Sequence, residues 1–300
     1  MQDFIQHIIN GISLGSIYAL IALGYTMVYG ILKMINFAHS DVYMVGAFAA
    51  YYVARFFGIE ANPGLPTLIT LLVASMVVCS LLGLAIERLA YRPLRSSPKL
   101  NILITAIGVS LFLEYGGQVV FGADPKVFPE VMKDFVLFNI GSVELKSFDV
   151  TVLVVSLIAM LGLQFLIHKT KIGKAMRAVS SNASVASLLG MNPDRIIAFT
   201  FIVGSALAGV GSVLVGMKYP KIDPLMGMMI GLKAFVAAVL GGIGNVGGAV
   251  LGALIMGLSE EMVVAYISST YRDALAFGIL IVILIFKPAG LLGKYTVEKV

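Results

Sequence analysis

The sequence predicts an all-α fold, a polytopic transmembrane helical bundle of about eight or nine membrane segments with discontinuous or re-entrant elements. Three observations lead there. Only 12% of the 300 residues are charged and 59% are apolar, where a soluble domain carries about a quarter charged residues. Mean hydropathy is +0.98, so lipid rather than water must solvate most of the surface. Charge-poor runs of the roughly 20 residues that a bilayer core demands recur from end to end, and with no long polar block between them residues 1–300 read as a single transmembrane domain.

The runs lie near residues 5–31, 42–57, 67–87, 100–120, 150–168, 196–217, 225–240, 248–267 and 271–287. The first follows only Asp3, lacks a basic leader and is too long for a signal peptide's apolar core, so it reads as a retained span. Only 13 residues separate Asp273 from Lys287, about 20 Å of helix, so the last passage begins near Ser269 or falls short of spanning.

Lys and Arg in the short connections set the orientation. Arg88, Arg92, Arg95 and Lys99 share one connection with a side that also takes Lys33, Lys169, Lys171, Lys174, Arg177, Arg195, Lys287, Lys294 and Lys299. The opposite side holds fewer: Arg55, Lys126, Lys133, Lys146, Lys218, Lys221 and Arg272. The first side is expected to be cytoplasmic, with the N-terminus outside and the C-terminus inside. The longest outer segment, residues 121–149, mixes Pro, Gly and charges and reads as a surface loop with room for a short hairpin, which either caps the bundle or receives a soluble partner. Small residues at spacing four, such as Gly11 with Gly15, Ser205 with Gly209 and Gly244 with Gly248 and Gly252, allow close helix approach in lipid.

Composition argues against several chemistries. Cys79 stands alone, and His7, His39 and His168 are too scattered for a metal site. The pI near 9.2 arises from basic residues beside apolar runs, with no aromatic-interleaved patch for nucleic acid. Within the apolar runs neither carboxylates paired at i, i+3 or i, i+4 nor a Ser/His dyad at helix spacing is found, which counts against an intramembrane enzyme. An ion-coupled secondary transporter would be expected to place more carboxylates in the membrane.

Two polar stretches interrupt the apolar pattern with too little chain to reach water and return: residues 35–41 and 241–248. Non-helical backbone at membrane depth survives only where protein buries it or it lines a wet cavity, and transporters aim such breaks at substrate. Asn36, Phe37, His39, Gly241, Gly242 and Asn245 are therefore the candidate substrate pathway. Two tight cytoplasmic turns, with Asp41 capping a helix start, fit the same residues. Glu87 next to Arg88 reads as interfacial, whereas Glu114 and Lys233 either flank a pore or, the reading favoured here, form a structural ion pair across helices or leave Lys233 snorkelling to the interface.

Residues 169–195 hold a different signal. Lys171 to Ala175 resembles half a phosphate loop, but the motif's first Gly and the Ser/Thr after Lys174 are missing, so no nucleotide site is expected. Beyond it Ser180, Ser181 or Asn182 can cap a short helix that sets Val185, Leu188 and Leu189 on one face and ends at Gly190. Such a face is suited to a groove in a partner or to the membrane surface.

The sequence also resembles the high-affinity branched-chain amino acid permease family of ATP-binding-cassette importers from about Phe4 to Leu292. The resemblance rests on residues 11–20, Tyr29-Gly30, residues 35–39, Glu87-Arg88, residues 92–95, 173–177, 186–192, 233–235, 241–245, Lys287-Pro288 and Gly290-Leu291. Ser40 stands where the family pattern leads one to expect Gly. The resemblance implies a bacterial inner-membrane permease domain that works with a second, unlike permease, two ATPase subunits and a soluble substrate-binding protein delivering leucine, isoleucine or valine. It implies no cofactor in this chain, ATP being bound by the partner ATPases, and a coupling helix formed by Asn182, Val185, Ala186, Leu188, Leu189 and Gly190. Related permeases for urea or amides keep that substrate class open.

Overall fold

Each of the nine apolar runs becomes a helix. A computed structural model describes residues 2–59, 62–95, 97–141 and 143–293; Lys294 and Lys299, counted above for orientation, lie outside these. The helices are α1 (Gln2–Leu32), α2 (His39–Phe56), α3 (Leu65–Ile86), α4 (Lys99–Phe121), α5 (Ser147–Lys169), α6 (Lys171–Ser181), α7 (Ala183–Leu188), α8 (Pro193–Lys218), α9 (Met226–Gly241), α10 (Val246–Tyr266) and α11 (Arg272–Phe286). Among the described residues, seven helical runs are long and apolar enough to cross a membrane, fewer than the eight or nine expected. The two that fall outside are α2, whose 18 residues include His39, Asp41 and Arg55, and α9, whose 16 residues cover only about 24 Å. Both adjoin the polar breaks. The last run does begin at Ser269, through a single 3-10 turn over Ser269–Tyr271 that leads into α11.

α1 forms the axis of the bundle, packed against α10, α8, α9 and α5, while α3 lies along α8 and α2. Its tightest seam is with α10. A methyl group added at Gly257 would come within 2.6 Å of the Gly11 carbonyl oxygen, and one at Gly15 within 2.9 Å of the Ala253 carbonyl oxygen, so the two backbones touch. In lipid, where apolar surface alone gives helices little reason to associate, such contact supplies the dispersion that holds them.

The segment between α4 and α5 does contain a hairpin, β2 (Val136–Ile140) with β3 (Val143–Lys146). A second antiparallel pair, β1 (Lys126–Val127) with β4 (Lys221–Ile222), ties this segment to the link between α8 and α9. At the opposite end, a π-turn over Glu87–Tyr91 and a 3-10 turn over Arg92–Leu94 extend α3. There Arg92 and Arg95 each meet the Asp194 carboxylate at the start of α8 at 2.5 Å. Glu87 is fully buried and pairs with Arg95, not with its sequence neighbour Arg88.

Candidate translocation site and docking surface

The first polar break folds back beside α1. α1 stops at Leu32 because Lys33 adopts a left-handed backbone, φ 55°, a conformation that ends helices. The chain then returns alongside α1, and α2 starts at His39 with no side-chain cap from Ala38. A Cβ at Gly24 would lie 2.1 Å from His39 Nε2; Gly24 is eight residues before Leu32, so the imidazole sits about 12 Å along α1 from its C-terminal end. Bare backbone at Gly24 makes room for that ring.

Around the break, side chains from four elements converge. Asn36 is buried, and its Oδ1 accepts a hydrogen bond from the Tyr91 hydroxyl at 2.8 Å. The π-turn supplies that hydroxyl, and such turns commonly occur at functional positions. His39 meets the edge of Tyr25 at 4.8 Å between ring centres, and Phe37 lies 6.2 Å from Phe235, which itself faces Tyr25 at 6.0 Å. His39 Nε2 is buried without a hydrogen-bond partner. Asp41 does not cap α2: its carboxylate accepts a hydrogen bond from Ser110 of α4 at 2.5 Å, its Oδ1 is buried without a partner, and Glu114 lies buried one turn further along α4. An unpaired polar atom out of water is costly, so His39 and Asp41 mark a place where protein packing alone does not meet every polar demand.

The second break has another character. Gly242 and Gly244 take φ values of 106° and 93°, which favour glycine. Asn245 Oδ1 caps α10 by accepting from the Gly248 amide at 3.2 Å, while its Nδ2 donates to the Leu292 carbonyl at 2.8 Å. The amides of Leu291 and Leu292 bond the carbonyls of Leu240 and Gly241, so the segment after α11 is laced onto the turn. Gly244 packs against Gly30, near the C-terminal end of α1. This break is a tight glycine turn at the end of α9 and does not penetrate the bundle.

Sequence reasoning did not find the partner of Lys233. Its ammonium contacts Glu260 of α10 at 3.0 Å and Asp273 of α11 at 2.7 Å; Arg272 lies 3.1 Å from Glu260, and the Tyr18 hydroxyl donates to Glu260 at 2.9 Å. The available signal was the Glu260-Glu261 pair in an otherwise uncharged helix. Glu114 lies elsewhere, on α4 near Asp41.

The short helix of residues 182–190 is α7. Asn182, and neither serine, is its cap, accepting from the Val185 amide at 3.0 Å, and Gly190 ends the turn with φ 81°. Leu188, Leu189 and Val185 are 86%, 72% and 50% exposed. Ala186 differs from them: it is buried against the protein and anchors the helix.

Comparison with known proteins places the chain in a family. Residues 7–284 match the family described as branched-chain amino acid transport system / permease component. The high-affinity branched-chain amino acid transport system permease protein BraD of Pseudomonas aeruginosa is 42% identical over 100% of this chain and 99% of its own length. Protein LivH of the same description, from Escherichia coli strain K12, is 43% identical over 99% of this chain and 98% of its own. One chain of the solved structure of PsaBC from Streptococcus pneumoniae in complex with Fab is more distant, 13% identical with a TM-score of 0.44 over 96% of this chain and 91% of that one. With its family matched along nearly its whole length and two relatives above 40% identity, this multi-pass membrane protein belongs to the branched-chain amino acid transport permease family.

Proposed function

We propose that the chain is the membrane-spanning permease subunit of an ATP-binding-cassette importer that carries leucine, isoleucine and valine across the bacterial inner membrane. The observation that carries this reading is the 42–43% identity, end to end, with two permeases named for high-affinity transport of those substrates. A second permease, two ATPase subunits and a soluble binding protein complete the importer. ATP is bound and hydrolysed in the ATPase subunits, and the C-terminus faces them from the cytoplasm. The apolar face of α7, Val185, Leu188 and Leu189, seats in an ATPase groove, with Asn182, Ala186 and Gly190 holding that helix in place.

In this reading the pathway passes the break before α2. Asn36, Phe37 and His39 form its wall, an aromatic and apolar surface with few polar groups, which suits a zwitterion bearing a branched aliphatic side chain. Asn36 and His39 are buried in this chain, so a passing substrate would need these side chains to move. Gly241, Gly242 and Asn245 shape the inner turn around which the mouth would move. Alternating access then needs no covalent chemistry in this chain.

The test is uptake of labelled leucine, valine and urea by vesicles holding the reconstituted complex, with and without ATP. ATP-dependent leucine and valine uptake is the expected result. Urea transport alone would replace the substrate, and uptake by this chain without ATPases, abolished by an ionophore, would replace the transporter class.

A further inference from the structure

A cavity of about 840 Å³ opens where α1, α5 and α10 end on the side rich in Lys and Arg. Three cationic or titratable basic side chains line it, Lys33, His168 and Arg177, and among the described residues no carboxylate does. One Arg177 nitrogen, Nη1, donates to the Ile167 carbonyl, which fixes the guanidinium at the rim. The first turn of α10 also faces in, through Val246 and Gly247. Amides at those helix positions lack a carbonyl within the helix to bond, and the positive end of the helix dipole adds to the attraction for an anion.

The walls then change character along α5. His168 and Gln164 lie at the mouth, followed at helical spacing by Leu161, Met160 and Leu157. Leu157 and Leu161 are each 55% exposed, facing outward from the bundle, and Val250 stands opposite on α10. A soluble phosphate would have no use for this apolar stripe. A ligand with a charged phosphate head and acyl tails would use both parts.

We propose that this cavity binds the phosphate head group of an anionic phospholipid of the inner leaflet, its acyl chains lying along the α5 stripe. Each lysine or arginine close to such a head group contributes about fivefold in affinity. The cavity borders both breaks, through Lys33 after α1 and Gly244 and Asn245 before α10, but excludes Asn36, Phe37 and His39, and the proposal does not depend on which substrate is carried.

The full chain, purified in mild detergent with the subunits it carries, is transferred to nanodiscs of phosphatidylcholine containing phosphatidylglycerol, and retained lipid is counted by native mass spectrometry. Wild type is expected to retain phosphatidylglycerol over phosphatidylcholine by about tenfold or more. Lys33→Gln with His168→Gln should reduce that preference by about fivefold or more. Gln164→Glu should reduce it too by placing a carboxylate at the mouth, with Gln164→Leu as the control that keeps the span apolar and should leave the preference intact. Equal retention of both lipids, or a preference unchanged in both charge variants, would overturn the site. Saturable binding of inorganic phosphate that excludes phosphatidylglycerol would overturn its assignment to lipid, as would displacement by leucine.

Discussion

Glu260 shows how much a single buried side chain can organise. Its carboxylate receives Lys233, Arg272 and the Tyr18 hydroxyl, joining α10 to α9, α11 and α1. Removing one partner of a buried ion pair strands the others, at a typical cost of 3–5 kcal/mol. Lys233 would keep Asp273, so Glu260→Ala is expected to cost about 3 kcal/mol, the low end of that range, and to lower the Tm of the detergent-solubilised protein. Lys233→Met combined with Glu260→Met should recover part of the loss; an unchanged Tm in the single variant would show that the network carries no weight. At this scale the sequence reveals an anomaly and conceals its resolution. Asn36 and Lys233 stand out as polar residues in apolar runs, but Tyr91 is 55 positions from Asn36 and Glu260 is 27 from Lys233. Which side chains meet depends on the rotation and offset of packed helices, and no local pattern encodes that.

Among the elements, α7 is the one whose form follows most directly from local rules: a capping Asn, an i, i+3, i+4 apolar face and a terminal Gly. Those rules depend only on neighbours in the chain, so the sequence suffices to place them. Leu188→Asp with Leu189→Asp changes exposed side chains only, and insertion and folding should be untouched. The expected outcome is loss of the ATPase subunits from an affinity pull-down, and their retention would remove α7 from the docking role. The two breaks were less legible. Both read as Gly- or Asn-bearing interruptions, yet one runs about 12 Å back beside α1 and the other stays a tight turn. The difference lies in tertiary partners: Gly24 leaves space for His39, whereas the segment around Leu292 seals the second turn.

Across the whole molecule, Asp194 connects the base of α8 to the turn that follows α3, through Arg92 and Arg95. α7 directly precedes α8, so a push on α7 has a short route through this clasp to the π-turn, and from Tyr91 to Asn36 at the first break. Asp194→Asn should weaken the clasp. In the reconstituted importer it is expected to leave ATP hydrolysis within about twofold of normal while leucine taken up per ATP falls several-fold, because the clasp is half-exposed and modest in energy. Equal losses in both would assign Asp194 to assembly instead. The helical bundle itself was readable from hydropathy, since lipid forces backbone polar groups into helices. The number of full-length spans was not, because α2 and α9 combine apolar length with polar or truncated ends.

The glycine seam between α1 and α10 has one more implication. Two helices whose backbones touch at Gly11, Gly15 and Gly257 cannot shear past one another without lifting apart first, and they therefore turn as a single stator. Moving parts must be sought among the helices around it, and a disulfide engineered across that seam should leave the transport cycle running at full speed.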